Sequence, residues 1–166
     1  MRLASILAGA LLAAATPAAA LMLRAPLDEL VGSSDAIVRA GVLSTESRWL
    51  DDPRVIVTEV KLEVREPWRG GLRSGAPLTL TVLGGEVGGM GMKQEHQPEF
   101  RAGEEVVLFL KATPSARWAV NYEEQGKYTV LGEQVVGFDR QPMMLAAFKA
   151  AITRWIPGRA APGAHR

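Results

Sequence analysis

The chain contains no cysteine. That absence excludes disulfides, a lipid-bearing cysteine, a thiolate nucleophile and every cysteine-based metal site. The fold must therefore be stabilised by packing alone. Histidine is scarce as well, with two in 166 residues, His96 and His165. A transition-metal site wants several convergent nitrogen or sulfur ligands, so neither metal nor cofactor is expected. His96, between Glu95 and Glu99, reads as a solvated loop histidine rather than a ligand. No G-x-S-x-G or S-x-x-K motif is present, which removes the common serine-nucleophile signatures. A Ser-His-Asp triad would have to use His96. No run of acids has the density of a calcium loop, and no internal repeat recurs at a fixed period.

An excess of charge of one sign is also missing. The chain carries 19 Lys plus Arg against 18 Asp plus Glu. Residues 1–20 look like an export leader. Arg2 supplies the positive start, an apolar run from Leu3 to Ala15 follows, and Ala18-Ala19-Ala20 ends it in an A-x-A pattern. The apolar run falls short of the roughly 20 residues of a membrane span. Cleavage before Leu21 would remove one base and no acid, leaving 18 of each sign. A balanced chain argues against a nucleic-acid partner and against electrostatic attachment to anionic lipid. The expected compartment is periplasmic or secreted, with no membrane contact after leader removal. The remaining length suits one domain, 21–156, followed by a disordered tail, 157–166.

What is present is a series of short strands. Pro26, Leu27, Leu30 and Val31 open with a short helix that Gly32 should stop. Asp35 to Ser47 reads as a strand with Gly41 marking a bulge or bend. From Thr58 the alternation is strict: Thr58, Val60, Leu62 and Val64 on one side, Glu59, Lys61, Glu63 and Arg65 on the other. That period of two means one buried face and one wet face. Pro67 should end this strand. Leu78–Leu83, Val106–Lys111, Trp118–Val120, Tyr128–Leu131 and Val135-Val136 add further strands. Residues 142–156 change to helical spacing, with Pro142 at the start and Met144, Leu145, Phe148, Ile152 and Trp155 forming one apolar face. Strands without intervening long helices predict a mainly β fold: a small antiparallel closed barrel, OB-like, of five to six strands. The C-terminal amphipathic helix is expected to plug one opening.

The residues of greatest interest join two of these strands. Gly84, Gly85, Gly88 and Gly89 occur as pairs, followed by Met90, Gly91 and Met92, then His96 and Phe100. A phosphate cradle would need a helix after the strand and a closing Lys-Ser or Lys-Thr, and neither is present. Two readings remain. The glycines adopt positive φ or permit close backbone packing. Alternatively, the long loop 84–103 presents Met90, Met92 and Phe100 to a partner. The four tryptophans, Trp49, Trp68, Trp118 and Trp155, read mainly as core or lid residues.

Four segments carry a resemblance: L-x-x-L-V-x-x-S-D-x-I-V-x-x-G-V from Leu27 to Val42, W-R-G-G from Trp68, P-x-F-x-x-G-E-x-V-V-L-F-L from Pro98 to Leu110, and Q-G-K-Y-x-V from Gln125. With the paired glycines, they are similar to a group of exported bacterial proteins of unknown function. The opening strand also resembles netrin-like and tissue-metalloproteinase-inhibitor domains, which implies an OB-type barrel. The N-terminal cysteine through which those inhibitors bind zinc is absent here, so no functional residue is carried over. The resulting expectation is an exported, non-enzymatic binding domain for a protein or glycan partner. The alternatives are a carboxylate-based hydrolase of polysaccharide or cell wall, and a structural envelope component.

Overall fold

The computed structural model describes residues 24–115 and 117–156. The expected leader at 1–20 and the tail at 157–166, with His165, lie outside the described residues. The chain folds as a mainly β structure around a closed five-stranded barrel with a C-terminal helix, as the strand pattern predicts.

Helix α1 (Leu27–Ser33) follows Pro26 and buries Leu30 and Val31. Gly32 lies inside its last turn instead of ending it. The barrel uses β1 (Ala36–Asp51), β2 (Arg54–Arg69), β3 (Pro77–Leu83), β6 (Glu105–Ala112) and β7 (Trp118–Val120). Between β3 and β6 lies a two-stranded hairpin, β4 (Gly85–Val87) and β5 (Met90–Met92). The ring runs β1-β2-β3-β7-β6 and closes by β6 pairing back to β1. Its one parallel seam is β3 with β7, registered at Leu80 and Trp118.

Alternation explains the interior. Val60, Leu62 and Val64 of β2 face inward with Leu78 and Leu80 of β3, and Val38, Ala40, Val106, Leu108 and Leu110 complete that core. Each of these valine and leucine side chains contributes about 1.5–3 kcal/mol when fully buried. Strand β6 and the first part of β1, residues 36–42, are buried on both faces. Ile37, Val107 and Phe109 point outward into a second core with Trp68, Phe148 and Ile152. The uninterrupted run Val106–Leu110 is thus the signature of a wall covered on both sides.

That second core corrects one expectation. Helix α2 (Leu145–Trp155) lies on the outer wall of the barrel, not across its mouth. Phe109 and Val107 leave an apolar outer surface, and α2 covers it with Phe148 and Ile152. The helix face is narrower than the spacing suggests, because Met144 and Trp155 are exposed. Pro142 does not start the helix. It opens β10 (Pro142–Met144), the last strand of a meander with β8 (Lys127–Leu131) and β9 (Gln134–Val136). An outermost strand leaves one side of its backbone unpaired, where a missing N–H is tolerated.

Pro67 also fails to end its strand. It pairs with Val38 beside a register shift, and β2 continues to Arg69. Strand β3 registers with β2 only as far as Glu63, so Pro67 lies beyond the reach of that ladder. Trp68 is therefore a residue of β2, and it is buried. Register shifts occur at Ile37/Val38, Arg39/Ala40 and Val42/Ser44. They flank Gly41 and supply the bending expected there.

Lys149 of α2 donates to Glu66 of β2, and this bond holds the Glu66 carboxyl below its usual range. A carboxyl lowered by folding stabilises the fold fully above its unfolded value of about 4.3. That contribution is lost as the pH falls through the lower folded value. Glu66→Gln is expected to flatten the acid limb of the stability curve by lowering stability modestly at neutral pH, while leaving it nearly unchanged below the folded value, where the wild-type carboxyl is protonated. Urea titrations at a series of pH values would measure it, and an unchanged acid limb would contradict the assignment.

Candidate functional site

Strands β1 and β2 do not stop at the barrel. They continue as a two-stranded arm to the turn at Asp52-Pro53, a cis peptide bond. β1 accordingly ends at Asp51, past the expected Ser47. The long connection from β3 to β6 folds against this arm.

The connection is fastened at its start by polar contacts. The Gly84 N–H donates to the Ile56 carbonyl at 2.8 Å. The Gly84 carbonyl accepts from the Thr58 hydroxyl at 2.7 Å, and the Thr58 and Ser47 hydroxyls are 2.9 Å apart. Gly85 then passes so close to the arm that a Cβ would collide with Ser47 Oγ and Thr58 Oγ1, and its φ is 136°. Gly88 and Gly89, at φ 59° and 78°, form the tip of the β4–β5 hairpin. Two successive positive φ values match the tight turn whose twist suits a hairpin.

The return is fastened by Lys127. Its ammonium pairs with Glu104 Oε1 at 2.9 Å, with the two side chains 11% and 16% exposed. It also donates to the Glu99 carbonyl and lies 4.8 Å from the Phe100 ring centroid. The Gly103 N–H donates to the Val42 carbonyl and the Val42 N–H to the Glu104 carbonyl, both at 2.9 Å. Midway, His96 adopts φ 63° and its Nδ1 lies 3.2 Å from Glu124 Oε1.

Between arm and loop lies a groove of about 610 Å³. Thr45, Ser47 and Thr58 line it from the arm, and Gly85, Met92 and Phe100 from the loop. The volume falls within the range of small-ligand sites. The structure thus brings together Gly84, Gly85, Gly91, Met92 and Phe100. It separates the others. Gly88, Gly89 and Met90 sit at the hairpin tip, where Met90 is exposed. His96 turns to a second, smaller depression of about 330 Å³, shared with Lys127 and Arg140. Phe100 is half-buried against the barrel core and under Lys127, so it is part of the wall and not a projecting anchor.

Sequence reasoning missed Thr45, Ser47, Thr58 and Lys127. Thr58 shows as one of an alternating set, and the hydroxyls of β1 carry no local mark. Nothing near Lys127 in the chain points to Glu99 or Glu104. Among the described residues, no three His, Asp or Glu side chains converge as a metal-ligating group. No protein-family model matches the chain, and comparison with curated proteins finds no match.

Proposed function

We propose that this protein is an exported binding domain, without catalytic activity of its own, that holds a protein or glycan ligand in the groove between the β1–β2 arm and loop 84–103. One observation carries the reading: the loop is tied down at both ends, yet leaves a groove of about 610 Å³ against the arm. A loop ordered in advance loses less entropy on binding, which favours affinity. The leader-like residues 1–20 support a periplasmic or secreted setting.

The hydrolase alternative has no comparable support. A general acid needs a raised carboxyl pKa. Asp35 is instead lowered, first by the Ala112 amide and then by Lys111, and Glu66 by Lys149. Neither lines the groove, and the acids that do, Glu86 and Glu99, are exposed to solvent.

The test is recovery of ligands from the exported fraction on immobilised protein. Wild type is compared with Gly85→Val and with a deletion of residues 86–97. The reading expects a ligand held by wild type and lost by both variants. If the variants stay folded and retain everything that wild type retains, the groove is not the binding site.

A further inference from the structure

We propose that the groove takes an extended polypeptide segment of a partner protein, which adds as a strand to the free edge of β1 beyond the barrel. This rests on the groove being the binding site, and it names the ligand class.

The edge is defined by where β6 stops. Strand β6 registers with β1 from Ala36 to Gly41, and the last backbone bonds on that side involve Val42. β1 nevertheless runs on to Asp51. Among the described residues, no strand pairs with that side of β1 past Val42.

The direction of the free backbone groups follows from β2. The Ile56 carbonyl bonds Gly84, and the Val64 N–H and carbonyl bond Ala76 and Gly75. These residues therefore turn toward β3. Because β2 and β3 are in unbroken register from Val57 to Glu63, Thr58 and Val60 turn the same way. Their partners in β1 are Thr45 opposite Val60, Ser47 opposite Thr58 and Trp49 opposite Ile56. In an antiparallel pair, residues that do not bond each other bond outward. Thr45, Ser47 and Trp49 thus present N–H and C=O groups along the open edge, at the two-residue spacing that another strand matches.

The groove belongs to the same stretch, since the side chains of Thr45 and Ser47 line it. A strand laid along this edge would gain main-chain bonds from β1, with alternate side chains available to the Met92 and Phe100 wall. The lining favours peptide over glycan. Sugars are commonly recognised on an open aromatic face. Among the described residues, Phe100 is the sole aromatic lining this groove, and Lys127 already sits against its ring.

The experiment selects displayed random decapeptides on the full chain. Enriched sequences are synthesised and N-methylated one residue at a time. Strand addition expects saturable binding, with methylation at alternate residues weakening it about tenfold or more and the residues between them tolerant. Thr45→Pro removes an edge N–H that the β2 ladder does not use, and is expected to weaken binding similarly at an unchanged unfolding midpoint. The N-methyl series on wild-type protein decides the matter independently if that variant misfolds. Absence of any enriched peptide, or uniform tolerance of N-methylation, overturns the proposal. So does a concentration-dependent dimer abolished by Thr45→Pro, which would give the edge to a second copy. A glycan from an array that binds wild type but not Gly85→Val overturns strand addition and leaves the groove reading standing. A ligand recovered equally by wild type and both groove variants sinks both.

Discussion

Truncating Phe148 to Ala is expected to lower the free energy of unfolding by about 3–5 kcal/mol. Phe148 is almost wholly buried and is the centre of an aromatic cluster. Its ring centroid lies 4.5 Å from Tyr128, 6.3 Å from Phe109 and 6.4 Å from Trp68. Tilted and edge-to-face pairs of this kind add to the area term. The loss should be local in its structural effect. Phe148 belongs to the outer core, whereas Leu62, Leu80 and Leu108 form the separate barrel interior. Helix α2 should therefore loosen before the barrel opens. The near-ultraviolet dichroism of the aromatic cluster should weaken, while amides of β2 and β6 stay protected from exchange. A destabilisation under 1 kcal/mol would show that α2 is an appendage and not part of the folded unit.

The second large effect is expected at Lys127→Met. This change keeps most of the apolar stem and removes the charge. Glu104 would be left without its cation in a site where both side chains are mostly buried. Breaking a pair of this kind from one side costs about 2–4 kcal/mol, somewhat less than for a fully buried pair. The same change also frees the Glu99 carbonyl and uncovers Phe100. Residues 93–101 should then open, with faster amide exchange and earlier tryptic cleavage at Lys93 and Arg101. The proposed groove has this segment as one wall, so ligand affinity should fall with it. Unaltered exchange across 93–101 would mean that Lys127 is not the fastening.

Much of the architecture was legible because it depends on local pattern. The alternation from Thr58 to Arg65 has one solution, a strand with a wet and a dry face, and β2 is that strand. The positive φ expected of the glycines holds at Gly88 and Gly89, but the tight β4–β5 hairpin that they close shows in the sequence only as part of one long loop. Pro67 and Pro142 were misleading for a shared reason. Proline forbids a backbone bond but not an extended conformation, and whether a neighbour needs that bond is a tertiary fact. Trp155 and Met144 have helical spacing yet face solvent, because the outer wall accommodates only Leu145, Phe148, Ile152 and Ile156. The groove was half legible. Its loop wall announces itself through paired glycines, whereas its other wall is Thr45, Ser47 and Thr58, ordinary strand residues until Gly85 lies against them.

By itself the amino-acid sequence determined a balanced charge, a cysteine-free chemistry, a closed β-barrel and a glycine-rich connection, because each follows from residue types and near-neighbour spacing. Tertiary structure alone decided three things: that α2 clads the outer wall, that Lys127 fastens the connection, and that β1 outruns β6 beside a groove. Each of these brings together residues far apart in the chain. Burial and geometry choose such partners in three dimensions, and no periodicity along the chain encodes them.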